Sequence, residues 1–446
     1  MKYVVFTIAA LGVAPLAFAL FLNRRWMKYA VWAMIAALTA YQGTAINFFS
    51  HEEYRGSARG MEVSVVYLIA AAIILAAAFR RKMTKFVPST GAFLFVVYFL
   101  LCLPSLHTAE NMLFSWMELW KMIMLYIVYL SMRAYLNSTN DVKSLLRGFA
   151  VFVVYNFMLV AKAHLAGVYQ PHGSFPYQNC LAMAMHLFSN LFFAYYLAAG
   201  FRGSKLGALA FACASACIVR TYSRGAIAMM PLAFFVTFAL SAFVALKVPV
   251  NRLAARIMPI VIVGAVGLSA MLPRVISRFK SAPEASGNTR IELALCAKEM
   301  MFDEPWCGVG INNWGIKINP PYEYAELAGR NTNRGEDFKD GVVETVYLLV
   351  GAECGIPALM AMLMWFANYL VLSISLARRL AGTPCAAIAA GIAGGLVASY
   401  VQSCLEWVLR QQMNLILLMM FFALLDHIKA NAHRLAEQSR ETEGVT

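Results

Sequence analysis

The sequence predicts an all-α integral membrane protein, a polytopic bundle of about 12–13 transmembrane helices with one large ordered external loop segment. Of its 446 residues, 61% are hydrophobic and only 13% are charged. Because such a small number of charged residues cannot cover the surface of a soluble protein, most of the chain must face lipid or other apolar helices. Roughly thirteen spans of about 20 residues account for this apolar content. Disordered, collagen-like and disulfide-stapled secreted proteins are excluded.

Thirteen apolar runs separated by charged breaks are the predicted spans. They lie near residues 3–21, 29–48, 63–79, 90–106, 113–132, 148–167, 179–200, 206–219, 226–246, 257–272, 342–376, 383–402 and 405–426. The first run has no small-residue cleavage site before Asn23-Arg24-Arg25, so we interpret it as a retained helix and not as a signal peptide.

Basic residues predict the orientation of the bundle. The net charge of +14 would suit a nucleic-acid partner in a soluble protein, but in a membrane protein it first reports orientation. Loops on one side, such as those with Arg24 and Arg25 or Arg378 and Arg379, carry about four times as many Lys and Arg as the opposite short loops. The positive-inside rule therefore places these loops and the C-terminus in the cytoplasm and the N-terminus outside. We expect a lipid bilayer and no nucleic acid as partner.

The span pattern divides the chain into five segments. They are N-terminal transmembrane helices (1–168), central transmembrane helices (169–272), a large external loop (273–341), C-terminal transmembrane helices (342–426) and a cytoplasmic tail (427–446). The loop holds nine Lys or Arg and ten Asp or Glu. Loops of this length are usually functional or disordered. Thr289 and Glu292 form a capping-box pattern that predicts a helix start, so we expect an ordered loop.

Arginines at the external ends of the spans are the first candidate binding residues. Arg220 and Arg224 are four residues apart, and on one helix this spacing places both guanidinium groups on the same face. Two such cations at the membrane boundary suit a phosphate or a diphosphate. The alternative is a pair of arginines that snorkel to the lipid interface.

Arg290 is predicted to open the helix that begins at Thr289. The N-terminus of a helix attracts anions, and an arginine in its first turn strengthens the site. Arg274 and Arg278 lie upstream on the same side and are possible supporting residues. The alternative for each of the three is a solvated loop charge.

Glu344 is the candidate general base. It precedes a long apolar run near the external surface, where an unpaired carboxylate is costly. Partial burial would raise its pKa toward that of a general base, whereas the alternative is a salt bridge to a nearby arginine. Glu353, deeper in the same span, is predicted to be structural and satisfied by a neighbouring helix.

Other polar residues in or near the spans have simpler interpretations. Asn179 follows the loop QPHGSFPYQ and is predicted to cap the next helix, and His172 lies on the same loop as a possible supporting residue. Glu118 and Lys121 are three apart within a span, so we expect them to pair.

Several motifs do not occur in the sequence. It has no P-loop, no G-x-G-x-x-G and no H-E-x-x-H, so ATP hydrolysis and zinc proteolysis have no support. The external loop contains no histidine, and we predict no metal site and no cofactor. Cys296 and Cys307 share this loop, and a disulfide between them is one possibility in an oxidising compartment.

Four stretches resemble the O-antigen ligase and O-antigen polymerase superfamily of bacterial envelope glycosyltransferases, over roughly residues 170–375. They are GSFPYQNCLA, TYSRGA, GNTRIELALCAKEMMFDEPWCGVGINNW and ETVYLLVGAECGIPAL. TYSRGA is similar to the family's Ser-Arg-Gly element, and the third stretch to its arginine-and-helix element. The resemblance implies that Arg224 and Arg290 contact a diphosphate.

The resemblance also implies an activity and a location. Such a protein transfers a glycan from a polyprenyl-diphosphate donor to the hydroxyl group of an acceptor sugar without a metal, in surface polysaccharide or exopolysaccharide assembly. It lies in the bacterial inner membrane with its active face in the periplasm, which would make the 273–341 segment a periplasmic loop. The donor and a glycan or lipid-glycan acceptor are its expected partners.

The chain departs from the family pattern at the fourth stretch. The family has histidine and asparagine where this sequence has Glu344 and Thr345. In the ligases that histidine is thought to activate the acceptor hydroxyl, and a carboxylate can take the same proton. Two alternatives stay open: a transporter or flippase of polysaccharide or lipid-linked sugar, and a non-catalytic assembly partner, which a salt-bridged Glu344 would favour.

Overall fold

Among the residues that the structure describes, the secondary structure is helical apart from one short β-hairpin. A computed structural model describes residues 2–51, 53–54, 56–80, 88–246, 248–280, 284–327 and 342–434. The first nine helices are α1 (Lys2–Leu11), α2 (Val13–Leu22), α3 (Met27–Thr39), α4 (Tyr41–Thr44), α5 (Val65–Phe79), α6 (Thr90–Cys102), α7 (Met112–Tyr135), α8 (Thr139–Leu165) and α9 (Gln178–Gly203). The next nine are α10 (Lys205–Arg220), α11 (Arg224–Leu240), α12 (Val250–Lys280), α13 (Glu284–Asp303), α14 (Trp314–Lys317), α15 (Tyr324–Leu327), α16 (Val346–Arg379), α17 (Pro384–Gln402) and α18 (Gln412–Ala430). The strands are β1 (Ile46–Ser50) and β2 (Gly60–Val63).

Long apolar helices confirm the predicted polytopic bundle. Within the described ranges, seven helices are long and apolar enough to cross a membrane, and an eighth span results if α1 and α2, bent by 40°, are counted as one. The seven are α7, α8, α9, α11 with the π turn that follows it, α16, α17 and α18. Each of the thirteen predicted spans overlaps a helix over much of its length, and the count of 12–13 crossings stays a prediction.

The chain divides into two compact units. The first comprises Met1–Tyr135, Pro283–Asn368 and Ser403–Phe422. The second comprises Leu136–Ala282, Tyr369–Gln402 and Ala423–Thr446. The predicted segment boundaries follow the order of the spans along the chain and differ from this division.

In the first unit, the predicted span near 29–48 ends early, at a β-hairpin. Helix α3 stops at Thr39, and β1 pairs antiparallel with β2, with Ile46 opposite Val63. The two phenylalanines of β1 that made this stretch look like part of a span are both 59% exposed at the surface of the hairpin. These phenylalanines are apolar, as the hydropathy indicated, but they belong to a strand and not to a membrane-spanning helix.

The segment from α13 to α15 in the first unit joins α16 through backbone hydrogen bonds at a kink. Gly355 has a φ of +80°, which interrupts α16, and Pro357 has no N–H to donate to the carbonyl of Glu353. The N–H of Gly310 donates to that carbonyl instead, at 3.1 Å, and the N–H of Ile356 donates to Pro305 O at 2.8 Å. The turn that ends α13 therefore satisfies the groups that the kink leaves without helical partners.

A hydrophobic cluster below this turn packs α13 and α14 against the start of α16. Its buried members include Leu293, Cys296, Met300, Trp314 and Leu349. Neither Cys296 nor Cys307 is part of a disulfide, so the bond that the sequence allowed is not formed in the structure. Packing, not a covalent bond, orders the described part of this segment.

In the second unit, α9 packs closely against α17. A Cβ at Gly395 would lie 2.8 Å from the Cα of Leu187, so only glycine permits this approach. Asn190 of α9 accepts a hydrogen bond from the hydroxyl of Thr237 on α11 at 2.7 Å. Small residues and buried side-chain hydrogen bonds hold these helices together, as is common where helices pack in a membrane.

Helix α12 passes through the predicted boundary between span and loop at residue 273. It runs to Lys280, with both Pro259 and Pro273 inside it, so Arg274 and Arg278 lie on a helix and not on a loop. Proline is tolerated inside membrane helices where neighbouring groups or local adjustments satisfy the carbonyl group that loses its hydrogen bond.

Candidate functional site

The predicted site residues fall into two groups, one in each unit. Arg290 and Glu344 belong to the first unit, and Arg220, Arg224 and the supporting residues belong to the second. Each group is described within its own unit.

Arg290 and Glu344 form an ion pair. The Nε–H of Arg290 donates to Oε2 of Glu344, and the two side chains are 39% and 38% exposed. The salt-bridge alternative for Glu344 is therefore the arrangement in the structure. An ion pair this open to solvent contributes only about 0–1 kcal/mol, so an anion can displace one partner at small cost.

Buried neighbours hold both members of this pair. Val343 is 1% exposed and Leu293, three residues after Arg290, is 2% exposed, and both belong to the cluster below the kink. The N–H of Val346, the first residue of α16, donates to Ser403 O at 3.1 Å. Glu344 lies between these two anchors, just before α16 begins. The position of its carboxylate is therefore determined by the fold.

The predicted start of the helix at Thr289 is wrong. Helix α13 begins at Glu284, so Thr289 is interior and Arg290 lies in the second turn. Glu284 and Ala285 favour helix, and they extend it past the capping-box pattern. The effect of the helix dipole fades within the first turn, so it adds little to an anion site at Arg290. The functional interpretation of Arg290 now depends on its own charge and on Glu344.

Arg220 and Arg224 flank a tight turn and do not share one helix, which corrects the prediction that they occupy the same helical face. Arg220 ends α10 and Arg224 begins α11. Between them, Tyr222 has a φ of +50° and its ring stacks on Tyr169, with centroids 5.3 Å apart. Ser223 caps α11, because its hydroxyl accepts from the N–H of Ala226. The turn still places both arginines at one end of the unit.

Arg220 contacts a histidine for which the sequence predicted no role. Its Nη1 lies 2.8 Å from Nε2 of His164, near the end of α8. Arginine can only donate, so Nε2 must accept and the imidazole is neutral. Arg274 of α12 also acts on His164 electrostatically. A histidine at the end of an apolar run, on the side predicted for Arg220, was the available signal.

Arg224 is the first helical residue of α11. Its own N–H and that of Gly225 lie in the first turn, where helical N–H groups have no carbonyl partner within the helix. In the described part of the chain no acidic side chain forms an ion pair with Arg224. A guanidinium beside free helical N–H groups is a suitable site for a phosphate group.

The supporting residues are only partly brought together. Arg274 is exposed on α12, and Arg278 lies one turn further on, with its side chain outside the described part of the structure. His172 is exposed, and its Nδ1 contacts the carbonyl of Phe175. The predicted N-cap at Asn179 is wrong: α9 begins at Gln178 with Tyr177 at the cap, so Asn179 lies in the first turn.

Asn156, which the sequence analysis did not single out, organises the loop before α9. It is fully buried, and its Oδ1 accepts from the N–H and the hydroxyl of Ser174 at 3.0 and 2.9 Å. Gly173 has a φ of +59° at this point, and a Cβ there would lie 2.7 Å from Oδ1 of Asn156. The GSFPYQ loop is thus fixed on α8 by one amide side chain.

Four buried charges form a network in the first unit. Glu118 pairs with Lys121 at 2.6 Å, which confirms the predicted contact. Arg410 then joins Glu118, at 2.8 Å, to Glu353, at 2.7 Å. The carboxylate of Glu353 is thus paired with Arg410, in agreement with the structural role predicted for Glu353. The network holds two acids and two bases, so its charge is balanced, as burial requires.

An acidic and aromatic cleft of about 540 Å³ lies between the end of α13 and α15. Its lining residues include Glu299, Phe302, Asp303, Tyr322, Glu323 and Tyr324. Tyr322 donates to Glu110, and this hydrogen bond, with burial, raises the pKa of Tyr322 to about 12. Among the described residues, no three His, Cys, Asp or Glu side chains are placed to hold a metal ion.

Comparison with known proteins identifies one family. A family model described as O-antigen ligase matches residues 209–363. The matched range contains the turn with Arg220 and Arg224, helix α13 with Arg290, and Glu344 with the first half of α16. A search of curated proteins gives no match.

Proposed function

The match over residues 209–363 supports membership of this chain in the O-antigen ligase and polymerase superfamily, and on that basis we propose a specific glycosyl transfer. The family indicates a membrane glycosyltransferase of the O-antigen ligase type that acts on lipid-linked glycans. In our proposal, the protein transfers a glycan from a polyprenyl-diphosphate donor to a sugar hydroxyl on the periplasmic face of the inner membrane. The pathway is the assembly of a surface polysaccharide or an exopolysaccharide.

The turn between α10 and α11 is the observation that carries the proposal. Arg224 begins α11 beside free helical N–H groups, and Arg220 is held at the other end of the same turn by His164. As the glycosidic bond breaks, negative charge grows on the departing diphosphate. Fixed cations and N–H dipoles stabilise that charge more than the ground state, which is what accelerates transfer.

The ion pair of the first unit supplies the second part of the mechanism. We assign Arg290 a contact to the diphosphate and Glu344 the role of general base. When Arg290 turns to the diphosphate, Glu344 is released from its partner and can accept the proton of the acceptor hydroxyl. The acceptor oxygen then bonds to the anomeric carbon, and the bond from that carbon to the diphosphate breaks. The arginines supply the positive charge, so this route uses no metal.

The acidic and aromatic cleft is a candidate contact for the acceptor glycan. Tyr322 and Tyr324 offer ring faces and hydroxyl groups, and the carboxylates of Glu299 and Glu323 accept hydrogen bonds from sugar hydroxyls. In this proposal the external segment places the acceptor and covers the reaction.

A transfer assay with purified protein in lipid vesicles tests the proposal. The substrates are a polyprenyl-diphosphate-linked oligosaccharide and a glycan acceptor, and the readout is the donor sugar joined to the acceptor. Wild type is expected to give transfer and Arg224→Ala none within the same time. Transfer that is unchanged in Arg224→Ala overturns the diphosphate assignment. Movement of the donor across the bilayer without transfer supports the transporter alternative.

A second candidate function rests on the same ion pair. If Arg290 stays bound to Glu344, then the carboxylate is not a base, and the chain acts as a non-catalytic partner in polysaccharide assembly. The assay separates the two functions. Donor binding without transfer, unaffected by Glu344→Gln, supports the assembly role.

A further inference from the structure

A basic cavity of about 380 Å³ lies in the second unit, away from the residues discussed so far. It is enclosed by the first turns of α8, by α9 and by the junction of α9 with α10. Its main lining residues are Lys143, Arg147, Phe192, Tyr195, Ser204 and Lys205. Cavities of this volume commonly take small ligands.

Three cations face this cavity without acidic partners in the described part of the unit. Lys143 and Arg147 are four apart on α8, so they share a face, and Lys205 is the first residue of α10. The nearest acid along α8 is Asp141, whose carboxylate accepts from the N–H groups of Asn137 and Ser138 at 3.1 Å in a capping box. The cavity is therefore positively charged.

The start of α10 adds hydrogen-bond donors to these charges. The hydroxyl of Ser204 accepts from the N–H of Gly207 at 3.2 Å, as an N-cap should. The N–H groups of Lys205 and Leu206 lie in the first turn of α10, where no carbonyl group of the helix can accept their hydrogen bonds. Cations and free N–H groups together are the chemistry that binds a phosphate oxygen.

The other half of the cavity is apolar. Leu146, Ala150 and Phe192 line it, and beside it Leu206 and Leu209 of α10 are 39% and 50% exposed. A free phosphate ion gains no binding free energy from such an apolar surface. A phospholipid places its phosphodiester among the cations and its glycerol and acyl chains along the leucines.

The cavity lies at the opposite end of the unit from the arginine turn. Helix α10 begins at Lys205 beside the cavity and ends 15 residues later at Arg220, about 22 Å away at 1.5 Å per residue. Helix α8 likewise carries Lys143 near its start and His164 near its end. The charge pattern of the sequence puts the Lys143 and Lys205 loops in the cytoplasm, so this site is distinct from the proposed donor site.

We propose that this cavity binds the headgroup of an anionic phospholipid of the cytoplasmic leaflet. Lys143, Arg147 and Lys205 hold the phosphodiester, and the apolar wall takes the start of the acyl chains. The bound lipid fixes the cytoplasmic ends of α8 and α10 relative to each other. Because these helices also carry His164 and Arg220, the lipid stabilises the scaffold of the arginine turn.

The test compares lipid binding in nanodiscs and by native mass spectrometry. Full-length protein is placed in phosphatidylcholine discs with and without phosphatidylglycerol, and retained lipid and the melting temperature are measured. We expect phosphatidylglycerol to raise the melting temperature of wild type. Lys143→Ala with Arg147→Ala should bind it roughly 30-fold more weakly, since each basic residue near an anionic surface strengthens binding about fivefold. The melting temperature in pure phosphatidylcholine should not change, because both residues are exposed.

A matched control removes the same charge elsewhere on the predicted cytoplasmic side. Lys28→Ala with Arg252→Ala should keep the rise in melting temperature that phosphatidylglycerol causes, because neither residue lines the cavity. Lys28 contacts the ring of Tyr29, and Arg252 is exposed on α12. An equal loss in both double variants shows general attraction to a charged surface and overturns the proposal. Stabilisation by inorganic phosphate in phosphatidylcholine discs, equal to that by phosphatidylglycerol, assigns the cavity to a free anion and overturns it as well.

Discussion

The Nε–H of Arg290 on α13 donates to the carboxylate of Glu344, 54 residues further along the chain. Both side chains are more than a third exposed, so the pair is open to water and to ligands. The residue in the general-base position and a residue assigned to the diphosphate are thus each other's partner before substrate arrives. Exchange of this pair for a donor-bound arrangement is the central testable feature of the mechanism.

Glu344→Gln is expected to reduce transfer by roughly 10²–10⁴-fold, because an amide cannot take the proton of the acceptor hydroxyl. Initial rates with saturating donor in the vesicle assay measure the effect. Glu326→Gln, which removes an exposed carboxylate on α15, is the matched control and should leave the rate unchanged. Full activity in Glu344→Gln would show that Glu344 is not the base.

Arg224→Ala is expected to lower transfer by roughly 10²-fold or more, the usual loss when one donor to a developing anion is removed. Arg224→Lys should recover only part of the rate, since lysine keeps the charge but loses the forked geometry. Lys162→Ala removes an exposed charge from α8 and serves as the control. Equal rates for Arg224→Ala and this control would contradict the assignment.

His164→Ala is expected to raise the KM for the donor about tenfold, because Arg220 loses the acceptor that orients it. A positioning role predicts rescue by His164→Gln, whose amide oxygen also accepts from a guanidinium. The turnover at saturating donor should change little. A fall in turnover with no change in KM, or no rescue by glutamine, would rule out positioning through Arg220.

Arg410→Met is expected to destabilise the protein by about 3–5 kcal/mol, since it leaves Glu118 and Glu353 buried without their shared partner. Thermal unfolding in detergent measures the change. The same substitution in a Glu353→Gln background should cost less, because one uncompensated carboxylate has been removed. Additive effects of the two substitutions would show that the network does not couple these residues.

Gly355→Ala is expected to destabilise the first unit by about 1–3 kcal/mol, because φ is +80° and a Cβ would lie 2.6 Å from the carbonyl carbon of Trp306. The control is Gly264→Ala on α12, where no atom lies within 4 Å of the added carbon. The two melting temperatures should move in opposite directions, since alanine favours a helix. A stable Gly355→Ala protein would mean that the kink is not needed.

Sequence alone determined the class of protein, the location of most helical stretches and the two positions where arginines concentrate. These features follow from composition and from spacing along one chain segment, which hydropathy and helical periodicity report directly. The same local rules predicted the Glu118–Lys121 pair correctly, because its members are three residues apart on α7. They failed at Thr289 and Asn179, where residues suited to a cap are also tolerated inside a helix.

Only the tertiary structure decided which charges meet. The pairs Arg290 with Glu344, Arg220 with His164, and Arg410 with Glu353 each join residues 54–57 positions apart. No periodicity within a helix encodes such contacts, because they depend on how separate helices pack and on where a glycine breaks α16. The sequence therefore specified the chemical groups, and packing determined the partners through which they act.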